Sequence, residues 1–470
     1  MADYQLSIEQ RGEEILNVFN KTFGDLLARD PAAFQVKFRK MAASAFAFYR
    51  GSACLFYHNL DLDPKQHVSP FLDDKTKRIW IHGDLHAENF STYMDSQGRL
   101  IFNVNDFDEA YVGPFIWDIN RFVASIALVG YAKALSDKQI TRLVRVYTAA
   151  YRERIHTLAT CTNQDEVPRF TLDTAKGPLL DALHSARAQT RVGLLCSMTE
   201  IHDSERRFTL GGGAIKLDSA TREKVEEAFN RYLDTLPGSR EDCACMYRIK
   251  DVVGRRGVGI GSAGLPPYNF PLEGKSEALE NDVVIYMKQS VAAAVSRHVK
   301  NSAADAYFHH EGHRTVISQR ALQAQADACL GWTEIDGVGQ LVAEVSPYAV
   351  DLDWSDINDL KEMAAVVADL GTATAMMHGA GDDDCRYGKL VPFCPEEVID
   401  AAIMADEDGF VDVLVEFAHK YSAQTRRDHH IFVDLLEKQN KKNRRKRERE
   451  QKEEKITEEG NRKEKSKGVY

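Results

Sequence analysis

With 470 residues, 44% of them apolar and 28% charged, this chain is too long for one ordinary core and too apolar to stay disordered; two or three packed units are expected. Its formal charge of −11 is uneven, because Glu437 to Tyr470 holds 14 basic and 8 acidic residues and leaves the body before it more acidic than the whole. Such a body repels a phosphate backbone, which argues against nucleic acid as its partner. The eight cysteines include no C-x-x-C pair, so neither a disulfide framework nor a zinc site is expected. The opening stretch MADYQLSIEQRGEEIL has acidic residues and no apolar centre, unlike a secretory signal. No stretch nears the roughly 20 apolar residues of a membrane span. An intracellular, cytoplasmic protein without a membrane partner is predicted.

In chain order, residues 7–60 read as helices and Asp61 to Asp74 as a Pro- and Asp-rich loop. Ile79-Trp80-Ile81 is a short strand feeding a His-Gly turn. Asp95-Ser-Gln-Gly98 signals a turn, and Leu100 to Val104 a second strand; a hairpin whose ends bring Asp84 and Asp106 together is predicted. Trp117 to about Leu233 reads as helical. A glycine-rich turn, Pro266-Pro267 and the β-rich run Val283 to Met287 follow. Residues 311–330 look like an amphipathic helix, Val342 to Val350 is strand-like, and 356–379 and 396–437 return to helix. The last segment, opening KKNRRKRERE, has almost no apolar side chains to bury and is expected to be disordered or a helical extension. Lys441 to Arg447 could meet an anionic surface or an import receptor, giving a nuclear location; a solubilising tail is the plainer role.

The chemistry concentrates in His82-Gly-Asp-Leu-His-Ala-Glu-Asn89, followed by Asn105-Asp-Phe-Asp108. Phosphoryl transfer needs a group to orient or deprotonate the acceptor hydroxyl, oxygen ligands for Mg²⁺, and relief of phosphate charge. Asp84 suits the first task, and Asn89 and Asp106 offer the hard oxygens that Mg²⁺ prefers. Two alternatives stand beside this: a loop of turn-forming residues that only caps its neighbours, or a metallohydrolase site using His82, His86 and Asp106. Asp118 is expected to cap a helix start and, in a kinase-like site, to tether the catalytic loop through backbone N–H groups. Arg50 is a candidate for substrate or phosphate contact, and equally for a core-edge ion pair. Asp108 and Glu109 hint at a cationic acceptor.

Gly259-Ile-Gly261-Ser262-Ala-Gly264 is a G-x-G-x-x-G. A dinucleotide fold would need a helix after the third glycine, and Pro266-Pro267 opposes one. A hairpin loop over phosphates fits better, with a structural turn as the plain alternative. Lys288, at the end of the β-rich run, is then the candidate phosphate-binding lysine. Glu311, Gln319 and Gln323 are its candidate partners.

Phe46-Ala-Phe-Tyr-Arg-Gly51, HGDLHAENF, NDFDEA with PFIWDINR, and GVGIGSAG with its later lysine resemble, in this order, the blocks of a large uncharacterised family, domain of unknown function 2252, from about residue 35 to 435. The HGDLHxxN and DFD blocks are similar to those of aminoglycoside and choline kinases. The resemblance implies Asp84 as catalytic aspartate, Asn89 and Asp106 as metal ligands, and His82, Asp108, Asp118 and Arg50 in support. Gly259, Gly261, Ser262, Gly264 and Lys288 would hold the nucleotide. Tyr286-Met-Lys288-Gln289 departs from family members with an acidic residue after the lysine, and the glycine loop follows the catalytic loop, the reverse of the kinase order. The implied fold is α+β, kinase-like, two-lobed and circularly permuted. Its parts would be a helical catalytic lobe (1–244), a β-rich nucleotide lobe (245–352), a helical segment completing the catalytic lobe (353–436) and a charged tail (437–470). The expected activity is ATP- and Mg²⁺-dependent phosphotransfer to a hydroxyl. A nucleotide-binding pseudokinase scaffold and an AMP transferase are the alternatives.

Overall fold

In the computed structural model the described residues are 6–63, 69–161, 169–237, 247–256, 267–323, 325–381 and 389–467, by backbone alone from 443. Four helices open the chain: α1 (Ile8–Arg29), α2 (Pro31–Met41), α3 (Ala45–Arg50) and α4 (Ala53–Asp61). Ser7 and Gln10 form a reciprocal capping box at the start of α1, which satisfies donors no helical turn can reach. Four strands then alternate in pairing. β1 (Ile79–Ile81) pairs antiparallel with β4 (Tyr111–Gly113), and between them β2 (Phe90–Met94) pairs with β3 (Leu100–Val104). The hairpin expected around Asp95–Gly98 is therefore built by β2, a strand absent from the sequence reading, and not by β1.

The body is helical. It comprises α5 (Phe115–Ala132), α6 (Asp137–Thr160) and α7 (Gly177–Ala188), joined late in the chain by α12 (Leu360–Gly379), α13 (Pro395–Met404) and α14 (Glu407–Lys467). These helices and the two small ribbons share one large core. Phe122 of α5 stacks on Tyr147 of α6 at 4.1 Å between ring centroids. Against the expectation that no segment is long and apolar enough to span a bilayer, α5 is: its 18 residues average a hydropathy of 1.2. They are 89% buried inside the molecule, and Asp118, Asn120 and Arg121 interrupt them, as suits a core helix that carries functional side chains. The basic tail, for which disorder or helix was expected, continues α14 to Lys467.

The second unit centres on a six-stranded antiparallel sheet. Ahead of it lie α8 (Arg191–Met198) and the ribbon of β5 (Thr199–His202) and β6 (Glu205–Phe208); β7 (Ala214–Lys216) is the sheet's edge and α9 (Ser219–Tyr232) its cover. The sheet continues through β8 (Val253–Arg255), β9 (Tyr268–Leu272), β10 (Val283–Gln289), β11 (Gly331–Ile335) and β12 (Val338–Glu344), in the order β11-β12-β10-β9-β8-β7. The short α10 (Ser302–Tyr307) and then α11 (Glu311–Leu322) separate β10 from β11. Three strands thus fall within the stretch read as helical, and the β-rich unit recruits residues well before position 245. The expected helix over 311–330 stops at Leu322, because Gly331 to Ile335 pair with β12.

Strand alternation sorts the sheet's two faces. Ile285 and Met287 pack with Phe270 and Val342 beneath Val225, Phe229 and Tyr232 of α9. Val284, Tyr286 and Lys288 point the other way, Val284 toward Leu195 of α8 and Tyr286 toward the cluster of Val316 from α11. Helix α11 joins the two units, since its Ile317, Ala321 and Leu322 belong to the main core while Val316 belongs to the sheet. From β12 the chain returns to the body along β2, where Thr92 binds the Val350 carbonyl through its N–H at 3.0 Å.

Candidate active site

The loop 82–89 is clamped from behind. Asp118, fully buried on α5, accepts from the backbone N–H of His82 at 2.6 Å and of Gly83 at 2.9 Å. It is not the helix cap: Pro114 holds that position and Asp118 lies a turn inside. Behind it, the Tyr151 hydroxyl meets His378 Nδ1 at 2.8 Å, and His378 Nε2 lies 3.2 Å from Asp118, all three groups being buried. Tyr57 donates to the Gly83 carbonyl, Trp354 to that of Ala87, and Ser125 accepts from the Ala87 N–H. Gly83 has φ +78°, and a Cβ there would sit 2.0 Å from the Glu109 carbonyl oxygen, so only glycine lets the two acidic loops approach this closely.

His82 spends both ring nitrogens on this frame. Nδ1 accepts from the Asp84 N–H at 3.2 Å, which leaves Nε2 to donate to the Asn105 carbonyl at 2.8 Å. The metallohydrolase alternative loses one of its ligands by this, and burial pushes His82 below its ordinary pKa. Asn89 donates to the Asp84 carbonyl at 2.8 Å and is buried.

A cleft of about 1040 Å³ separates the helical body from the sheet. Asp84, Asp106, Asp108, Glu109, Arg50 and Lys288 line it; Asn89, His82 and Asp118 lie beneath its floor. Lys288 Nζ binds Asp108 Oδ2 at 2.7 Å. The partners expected on the helix after β10 are committed elsewhere: Glu311 to Arg314, Gln319 to Gln323, and Gln323, which caps the end of α11, to the Val104 carbonyl. Arg50 forms an ion pair with Glu88. The segment Gly259–Gly264, with Gly261 and Ser262, lies outside the described residues; its flanking strands β8 and β9 are antiparallel neighbours.

Among the acids of the cleft, Asp84, Asp106, Asp108 and Glu109 shape each other's charge. Burial pushes the Asp84 carboxyl up to about 7; Arg121 pulls it back and Glu109 and Asp106 add to the rise. Burial also raises Asp106, helped by Asp108 and opposed by Lys288. Burial alone would lower Lys288, but Asp108, Tyr286 and Asp106 outweigh it and hold the ammonium charged. Asp106 has φ 64°, a left-handed conformation that aspartate tolerates better than most residues and that costs energy to maintain.

The pattern that defines a family of uncharacterized proteins conserved in bacteria, DUF2252, matches residues 29–435. The chain belongs to that family. No curated protein and no solved structure matches it.

In this DUF2252 chain two charged residues have roles that the motif reading left unassigned. Arg121, fully buried, binds Asp84 Oδ1 through Nε at 2.6 Å and lies over the Tyr49 and Phe56 rings. Its signal was a charge three residues after Asp118 in an otherwise apolar helix, one turn on and thus on the same face. Arg314 is also buried and donates to the carbonyls of Asp108, Ala110 and Val291, which ties the acidic loop to the sheet unit. Nothing in the local sequence marks it. Among the described residues, three acid, cysteine or histidine groups with mutually close ligand atoms occur only at Asp327, Cys329 and Glu344. There Asp327 accepts from the N–H groups of Cys329 and Glu344, and Glu344 pairs with Arg191, so the cluster is internally satisfied.

Proposed function

We propose that this DUF2252 protein is a nucleotide- and Mg²⁺-dependent phosphotransferase on a permuted kinase-like plan. The observation that carries the reading is the meeting of Asp84, Asp106 and the strand-borne Lys288, from three separate stretches, on one cleft. The order of parts supports it. Strands β8 and β9 flank the glycine segment, the third strand β10 carries the lysine, and a helix bearing a glutamate, α11, follows. Kinases arrange glycine loop, lysine strand and glutamate helix in that sequence. Here the catalytic loop precedes these parts, and α12 and α14 close the helical body from the far end of the chain.

In the proposed reaction the acceptor hydroxyl lies against Asp84, which takes its proton as the oxygen attacks the terminal phosphorus. The new oxygen–phosphorus bond forms as the bond to the bridging oxygen breaks, and ADP leaves with that electron pair. Lys288 relieves phosphate charge, held in reserve by Asp108. A carboxyl near neutrality is suited to a base working at pH 7. The donor set is of the type Mg²⁺ takes: Asp106 lines the cleft and Asn89 lies beneath its floor, both offering hard oxygens, and the excess negative charge around Asp106 favours a cation. Bound there, the ion would neutralise phosphate charge.

Thermal-shift measurements with ATP, ADP and GTP, with and without Mg²⁺, test the reading, because a ligand of the native state raises its stability. A Mg²⁺-dependent shift that Asp106→Ala removes is expected, with ADP rather than pyrophosphate released on turnover. No shift with any nucleotide would sink it. One feature favours a second reading: the Asp84–Arg121 ion pair engages the would-be base, as a nucleotide-binding scaffold without turnover could tolerate. A Mg²⁺-dependent shift without ADP release from any acceptor is its signature.

A further inference from the structure

Helix α2 buries Phe34 and Met41 and half-buries Phe38, and Lys37 shares that apolar face. Lys37 is 6% exposed, yet it lines the same cleft as Asp84 and Glu109. Its ammonium lies 4.2 Å from the Phe23 ring centroid and 5.7 Å from that of Phe34. Among the described residues it makes no hydrogen bond and no ion pair. A buried ammonium without an anion is costly, and an aromatic face offsets only part of that cost. Burial pushes Lys37 down, while Cys54, Glu109 and Asp84 pull it back toward the charged form. Of the other cations that line the cleft, Lys288 has Asp108, Arg50 has Glu88, and Arg297 has the Lys21 carbonyl and Thr22, while Arg29 is exposed and Arg255 half-buried, so water can serve their charges in a way it cannot serve Lys37. The acids that hinted at a cationic acceptor are engaged, Asp108 by Lys288 and Glu109 by the Ala294 N–H.

We infer that the acceptor is itself an anion: a hydroxyl compound bearing a carboxylate or phosphate that Lys37 receives while its hydroxyl meets Asp84. This rests on the phosphotransfer reading for the hydroxyl's role, but not for the anion site. At about 1040 Å³ the cleft stands at the upper end of the roughly 300–1,000 Å³ range of small-molecule pockets. Proton and phosphoryl group move as in the proposed transfer, and the acceptor's anionic group does not react.

The test measures binding on the full chain by calorimetry at fixed ionic strength, with glycerate, glycerol phosphate, glycerol and ethanolamine as probes and Mg²⁺-ATP in parallel. Wild type should bind glycerate or glycerol phosphate, and which of the two binds more tightly identifies carboxylate or phosphate as the anion. Lys37→Met should weaken that binding about tenfold or more, Lys37→Arg should restore much of it, and both should keep the Mg²⁺-ATP affinity. Preference for glycerol or ethanolamine, or equal anion binding by Lys37→Met, overturns the inference. So does loss of Mg²⁺-ATP binding in Lys37→Met with its melting intact, which would assign Lys37 to the nucleotide. Nucleotide binding without any anion binding removes this inference and leaves the phosphotransfer reading. Anion binding without nucleotide binding does the reverse.

Discussion

At the scale of single residues, the Asp84–Arg121 pair decides how the cleft responds to pH. Arg121 stays protonated throughout, so only the carboxylate titrates. Burial holds the Asp84 proton to about pH 7 in the folded chain, against 3.8 for an ordinary aspartate. Between those values the unfolded chain has lost the proton and the folded chain keeps it. Stability contributed by Asp84 is therefore complete below about pH 4 and is lost as pH rises to about 7. An asparagine keeps the neutral shape at every pH. Asp84→Asn should gain melting temperature relative to wild type on going from pH 4 to 8, and thermal melts across that range measure it. A parallel pH course, or a relative loss, would contradict the assignment. Turnover should move in the opposite sense in wild type, rising with a midpoint near 7 as the base ionises, and should vanish in the variant.

At the scale of elements, the β9–β10 hairpin is pinned by buried charges beside its turn as well as by the apolar face it packs under α9. Asp282, fully buried, binds Lys250 Nζ at 2.7 Å and Arg206 Nε at 3.1 Å, and Lys250 also reaches Glu273 at 3.2 Å. Removing the central carboxylate leaves two buried cations short of a partner, a loss of about 3–5 kcal/mol. Asp282→Ala should lower the urea midpoint accordingly, by an amount independent of nucleotide. A change under about 1 kcal/mol would mean water reaches the cations instead. The same elements show where sequence patterns failed. Val283 to Met287 was legible as a strand because β-branched residues cluster there. Thr199–His202, Glu205–Phe208 and Ala214–Lys216 were not, since they are short and charged, and their pairing partners supply the order that their own composition lacks.

At the scale of the molecule, two packed units meet at a cleft, and α11 is the element both share. Arg314 holds three carbonyls at that seam without lining the cleft. Arg314→Met removes all three donations at once, and each unmade hydrogen bond costs about 1 kcal/mol or more. The variant should melt earlier and also bind Mg²⁺-ATP more weakly, because Asp108 loses its backbone anchor; intact nucleotide affinity would show that the seam does not position the site. Local sequence was enough to name the candidate groups. HGDLHAEN and NDFD name their carboxylates because turn residues and oxygen donors at short spacing are local facts, and Lys288 is named by its strand. Which of these groups share one cavity followed from the packing of the chain. It set Asn89, His82 and Asp118 beneath the floor, gave Lys288 to Asp108 instead of α11, buried Arg121 behind Asp84, and brought Lys37 to the cleft. Those outcomes depend on desolvation and on close approach between stretches distant in the chain. Burial and through-space charge are properties of the packed volume, and no short window of residues carries them.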